Sequence, residues 1–175
     1  VEEAAAAPSG DAAPAPAASG PSRRAGRRDK PERGTRTGFS TGACSAAAAR
    51  ACALGLVHGQ VPESVESLLA NGQRVSFAIH DGRIEGEGLA RVAHGYVQKF
   101  AGDDPDCTDG AHLTVDLRIL PGQAGQVQFR AGPGVGTVTL PGLGLEIGGP
   151  AINPVPRANI TQNLQEVAGP LLAEH

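Results

Sequence analysis

An α+β fold is predicted, with an early alanine-rich helix packed on a mostly antiparallel or mixed sheet of hairpins. Three observations carry that expectation: a run of small residues behind a polar cap, two turn dipeptides, and two segments of alternating polarity. The small-residue run follows Ser40-Thr41-Gly42, and Ala43-Cys44-Ser45 leads into Ala46-Ala47-Ala48-Ala49. Alanine is the best helix former, and a Ser or Thr at the start accepts a bond from an orphan backbone N–H. The helix is therefore expected from about Ala43 to Val57, with Ser40 or Thr41 as N-cap and Gly59 as the stop. Val65 to Ala70 and Arg74 to His80 flank Asn71-Gly72, which reads as a hairpin whose turn takes positive φ angles. Val75, Phe77 and Ile79 alternate with polar residues and so define one buried face.

Asp81-Gly82 is a second turn signal, leading into Arg83 to Glu87. Leu89 to Phe100 suits either a strand or a short irregular segment. His112 to Leu120 alternates with Leu113, Val115, Leu117 and Ile119 inward, and Val127 and Phe129 repeat that pattern over Gln126 to Ala131. A glycine- and proline-rich stretch from Gly132 to Pro156 holds a short strand at Thr137 to Leu140. Asn159 to Leu172 is expected as a final helix, interrupted near Gly169-Pro170. One helix followed by hairpins argues for α+β over an alternating βαβ plan.

Composition divides the chain in two. Residues 1–35 are dominated by Ala, Pro, Gly and Ser without apolar periodicity, and are expected as a disordered tail with a basic end. Residues 36–175 form the domain. Up to Arg36 there are seven basic and five acidic side chains, against eight and thirteen in the remainder. An acidic folded part with few aromatics argues against nucleic acid as a partner. No apolar segment is long enough to span a membrane. Cys44, Cys52 and Cys107 have no metal-ligand spacing, and an odd count without a secretory leader fits the reducing cytoplasm. His58, His80, His94 and His112 likewise lack ligand spacing.

Four strings carry candidate chemistry. Arg36-Thr37-Gly38-Phe39-Ser40-Thr41-Gly42 offers free backbone N–H groups at a helix start, which suits an anion. Gly102-Asp103-Asp104-Pro105-Asp106-Cys107-Thr108-Asp109-Gly110 crowds four carboxylates into seven residues. Such a loop can hold a hard cation, although the ligand order of an EF-hand is missing. It can instead be a solvated turn whose Asp side chains cap backbone N–H groups, or a catalytic loop in which crowding raises a carboxyl pKa. Gly134-Val135-Gly136-Thr137 lacks the strand-to-helix context of a nucleotide loop and has no Walker lysine, which leaves a ligand-lining role or a backbone one. Pro150-Ala151-Ile152-Asn153-Pro154-Val155-Pro156-Arg157 is expected to follow an extended path that presents Asn153 and Arg157, the latter able to hold a carboxylate.

Together and in this order, these strings resemble the CbiD family, the cobalt-precorrin-5B C1-methyltransferases of cobalamin biosynthesis. The resemblance covers about residues 35 to 165, and the chain reads as the N-terminal portion of a longer member, truncated at the C-terminus. It implies methyl transfer from S-adenosylmethionine, the methyl-donating cofactor, to C1 of a cobalt-containing corrinoid, a flat macrocycle with many carboxylate arms. On that reading Arg36, Thr37, Ser40, Thr41, Gly42, Lys99, Asn153 and Arg157 are candidate substrate contacts, with the amides of Thr41, Gly42 and Ala43 receiving an arm. Asp103, Asp104 and Asp106 are candidate catalytic residues, facing the sulfonium or handling a proton, and Gly134, Gly136 and Thr137 are candidate cofactor contacts. No resident metal is implied, and no side-chain nucleophile is needed. Two positions depart from the family pattern: Phe100, where an acidic residue often follows the lysine, and Gly149, where glutamate is common before the proline. The alternative is a non-catalytic corrinoid-binding fragment that needs a missing C-terminal half.

Overall fold

The computed structural model describes residues 37–174 apart from Asp104, Ala124 and Leu143, with backbone alone for 170–174. The expected tail, and Arg36, lie outside the described residues. In chain order the elements are helix α1 (Thr41–His58), strands β1 (Ser64–Leu68), β2 (Arg74–Ala78), β3 (His80–Glu85), β4 (Val92–Gln98) and β5 (His112–Arg118), and helix α2 (Pro154–Glu174). β1 and β2 form one antiparallel pair, and β3-β4-β5 form a separate antiparallel sheet with β4 in the centre. The architecture is α+β. Among the described residues, no helix is long and apolar enough to cross a membrane.

α1 is the centre of the fold because it can be approached from two sides. One face carries Cys44, Ala47, Ala48, Ala51, Cys52 and Leu56 and packs on Val65, Phe77, Ile79, Ala93 and Val97 of the two sheets. The other carries Ala46, Ala49 and Ala53 and packs on Ile160, Leu164 and Ala168 of α2. Small side chains let backbones come close, and dispersion contacts accumulate at short range. Burial pushes the Cys52 thiol pKa up to about 12, helped by the charge of Asp116, so this thiol is inert core. The two helices run the same way: Gly42 faces Pro156 near their starts, and further along Arg50 Nη1 donates to Glu166 Oε2 at 2.7 Å. Their N-termini therefore lie at one end of the molecule.

A buried amide ties α2 to the hairpin. Asn163 is fully buried; its Oδ1 accepts from Ser67 Oγ and from Leu68 N, each at 3.0 Å. Its Nδ2 donates to Leu68 O at 2.9 Å, and Asn159 Nδ2 donates to the same carbonyl at 2.8 Å. These side chains satisfy the end of β1 as a neighbouring strand would.

Several expectations need correction. The hairpin loop is Ala70-Asn71-Gly72, closed by Leu69 N donating to Gln73 O, and only Gly72 takes a positive φ, at 84°. Asn71 Oδ1 instead accepts from Gln73 N, so this is a three-residue loop ending in a left-handed glycine. Asp81-Gly82 is no turn; it lies inside β3 at a bulge between His80 and Arg83, with Asp81 at φ 52°. Leu89 to Phe100, open in the sequence, contains the central strand β4.

Gln126 to Ala131 forms no strand, although Val127 and Phe129 still pack beside α2. Alternation records a buried face, whereas a strand also needs a hydrogen-bonding neighbour. The strand expected at Thr137 to Leu140 is reduced to an isolated bridge between Thr137 and Pro150. α2 starts at Pro154 and continues through Gly169-Pro170. Pro154 and Pro156 fall in its first turn, where the missing N–H groups have no intrahelical partner to lose.

Replacing Asn163 with leucine removes every partner of the Ser67 hydroxyl and the Leu68 N–H named above. The variant is expected to lose about 3 kcal/mol, the scale of two orphaned buried polar groups. Urea unfolding of both proteins checks this, and a loss below about 1 kcal/mol would show that the amide only fills space.

Candidate functional site

Ser40 fixes the start of α1. Its backbone is extended, its Oγ accepts from Ala43 N at 3.1 Å, and its carbonyl accepts from Cys44 N at 3.1 Å. Such a cap stabilises a helix by about 1 kcal/mol. Ala43 is thereby removed from the expected anion-receiving set. The amides of Thr41 and Gly42 precede the first intrahelical bond and have no partner within the helix.

The segment before the cap is clamped to the acidic loop. Phe39 N donates to Phe100 O at 2.9 Å, and Thr37 bridges with Gly102. A Cβ added to Gly38 would sit 2.0 Å from the carbonyl carbon of Ala101, so only glycine permits this approach.

The loop is closed at its base by Lys99 N to Ala111 O and Gly110 N to Lys99 O, both 2.8 Å. Asp109 Oδ1 accepts from Ala101 N at 2.8 Å. Asp106 Oδ2 accepts from Lys99 Nζ at 2.6 Å, and its Oδ1 accepts from both the amide and the hydroxyl of Thr108. Lys99 is buried, at 3% exposure, so its ammonium braces the loop from inside and does not reach out to a substrate arm.

The lysine and then the Thr108 donors hold the Asp106 carboxyl well below the usual carboxylate range. The catalytic alternative for this loop needs crowding to raise a carboxyl pKa; at Asp106 the pairing with Lys99 wins, and this group is a strut and not a proton acceptor at neutral pH. Asp103 is an exposed residue next to the Gly102 bridge, and Asp104 lies outside the described residues. The capping-turn reading of the loop holds for Asp106 and Asp109. Cys44, in the first turn of α1, is pushed up by burial and partly offset by the Lys99 charge.

The other two strings join the same end. Pro156 lies against Gly42, where an added Cβ would meet its Cγ at 3.1 Å. Arg157 does not point away from an extended path. It sits in the first turns of α2, donates to Ile152 O at 2.8 Å and Pro150 O at 3.0 Å, and lies over the Phe129 ring at 5.1 Å. Asn153 is exposed, and its carbonyl accepts from Arg157 N. Gly136 O accepts from Ala151 N, Val138 N donates to Gly149 O, and Thr137 bridges Pro150. Gly134, at φ 82°, belongs to the turn in which Val135 N reaches Gly132 O. The backbone groups of this loop are thus committed to supporting the Pro150 segment.

Sequence reasoning missed two kinds of residue. Pro156 acts by packing against Gly42, and its only local sign was its place within the proline string. Phe100 and Val155 are exposed apolar residues, 44% and 65%; Phe100 O accepts from Phe39 N, and Val155 precedes the Pro156 that lies against Gly42. Around the start of α1 lie the Thr41 and Gly42 amides, which have no partner within the helix, and a braced acidic loop. A helix start with amides that lack an intrahelical partner is chemically suited to an anionic group. Among the described residues, no group of three His, Cys, Asp or Glu could hold a metal ion.

The CbiD family model matches residues 28–171. The chain belongs to the CbiD family. It is 61% identical over 152 residues to a protein of Polaromonas sp. (strain JS666 / ATCC BAA-500) named cobalt-precorrin-5B C(1)-methyltransferase, covering 85% of this chain and 40% of that one. A protein of the same name from Methylococcus capsulatus is 61% identical over 144 residues, covering 82% of this chain and 37% of its own length. One from Leptospira borgpetersenii is 47% identical over 131 residues, covering 75% and 34%. This CbiD-family chain therefore spans about two fifths of the length of the first of these relatives. No solved structure matches it.

The Asp106 carboxyl, depressed in the folded state, adds stability above the ordinary value of about 3.9 that is lost as pH falls through its folded value. Urea midpoints at neutral and acid pH should fall further for the parent chain than for Asp106→Asn. Equal falls would show that the Lys99–Asp106 pair does not contribute.

Proposed function

We propose that this chain is the corrinoid-receiving part of a cobalt-precorrin-5B C1-methyltransferase that uses S-adenosylmethionine, acting in the cytoplasm. The observation that carries the reading is the meeting of all four family strings at one end of α1, in a chain whose relatives bear that enzyme name. When bound, the methyl donor supplies an electrophilic sulfonium methyl, so the protein's task is to align a ring carbon with it.

The edge suits that task. The amides of Thr41 and Gly42 point from a helix N-terminus and can receive a carboxylate arm, an exposed interaction worth about 0.3–1 kcal/mol. Phe100 and Val155 offer apolar contact to a macrocycle, and Thr37, Ser40 and Asn153 lie along the same edge as further polar contacts. Lys99 and Arg157 contribute by holding their loops in place. Asp103 and Asp104 are the proposed acidic residues acting on the donor's positive charge; Asp106 is tied to Lys99. A corrinoid-binding part without turnover of its own is the second reading, favoured by the two-fifths span relative to the Polaromonas protein.

Incubation with cobalt-precorrin-5B and S-adenosylmethionine, followed by mass spectrometry, separates the two. Addition of one methyl group is expected from a competent chain. Saturable corrinoid binding without methylation would sink the enzyme reading for this chain, and absence of both would sink the family role proposed for the α1 edge.

A further inference from the structure

The face of the β3-β4-β5 sheet turned away from α1 carries an aromatic stack that the site above does not use. Tyr96 in β4 lies between His80 of β3 and His112 of β5. The His80–Tyr96 centroids are 5.2 Å apart with planes at 26°, and the Tyr96–His112 centroids 4.2 Å apart at 17°. Three rings from three adjacent strands are therefore nearly parallel and span the sheet from edge to edge. Both terminal histidines are exposed.

Two residues along β4, His94 Nδ1 lies 2.6 Å from Asp116 Oδ1, and its Nε2 lies 3.4 Å from Asp81 Oδ2. Stacked rings of this kind favour a further flat ring on a terminal face.

We propose that His112 is a stacking site for the adenine ring of an adenine nucleoside, the portion that an S-adenosyl methyl donor would present. The proposal rests on the methyl-transfer reading and adds the donor's site to it. His112 is the better end for a physical reason. It pairs in register with Gln98, next to Lys99, so it stands where the acidic loop leaves the sheet. The sulfonium and amino groups of such a donor are cationic, and Asp103 and Asp109 lie on that loop. Gln98 and Thr114 are exposed polar residues of β4 and β5 near the stack, suited to ribose hydroxyls. The arrangement places the flat apolar part on a ring and the charged part toward carboxylates.

The chain holds one tyrosine and no tryptophan, so tyrosine emission reports on this stack alone. Titration with S-adenosylhomocysteine, and separately with adenosine, is expected to change Tyr96 emission and shift the His112 ring resonances. His112→Ala should weaken binding about tenfold, the scale of one lost base–ring stack, and His112→Phe should restore it. Both are exposed-site changes, and circular dichroism verifies folding. If calorimetry shows S-adenosylhomocysteine binding while Tyr96 and His112→Ala are indifferent, the proposal is overturned but the methyl-transfer reading stands. Stacking without any corrinoid binding would uphold the nucleoside site and remove the reading it was attached to. No binding of either probe overturns the site in this chain.

Discussion

From Thr41 to Ala53, α1 has only one long side chain, Arg50, and this lets the sheets pack on one face and α2 on the other. A helix with leucines on two faces would hold the sheets and α2 apart. Alanine and cysteine at Cys44, Ala46, Ala47, Ala48, Ala49, Ala51 and Cys52 let both approach. The same economy of size allows Pro156 to rest on Gly42, which brings the starts of two parallel helices together. Parallel alignment gathers two positive helix ends at one place. α2 offers fewer donors there, because Pro154 and Pro156 lack N–H groups and Arg157 N is bonded to Asn153 O, which leaves the Val155 N–H.

A second constraint acts outward from that point. The chain before the cap, the acidic loop and the Pro150 segment are each fixed by hydrogen bonds that leave few choices. Gly38 against Ala101 sets the first contact, and Lys99 with Asp106 sets the second. Arg157 gathers two carbonyls of the segment before α2. Charged residues that look like ligand contacts in the sequence are therefore largely internal supports. Among the described residues, the Thr41 and Gly42 amides have no partner within the helix. A reaction governed by alignment needs this kind of rigidity more than it needs a nucleophile.

Legibility in the sequence followed the range of the interaction. α1, its Ser40 cap and its Gly59 stop are local, and all were readable from residue type and order. β5 was readable because its inward residues are Leu113, Val115 and Leu117. β4 was not, because its buried positions are Ala93, Gly95 and Val97, whose small size hides the alternation from any count of large apolar residues. The start of α2 was missed because prolines suggest an extended chain, yet they are equally at home in a first helical turn. Within the site, the four strings were legible one by one. Their contacts were not, since Gly42 with Pro156 and Thr37 with Gly102 join residues far apart in the chain.

We propose the end of α1, held by those contacts, as the edge that receives an anionic ligand. Amide-resolved NMR during titration with a carboxylated corrinoid tests it most directly. Saturable shifts are expected at the Thr41 and Gly42 amides, with smaller changes along Phe100 and Val155. The Ala43 amide, already bonded to Ser40, should move less than either. Shifts confined to another surface, or Ala43 responding as strongly as its two predecessors, would contradict it.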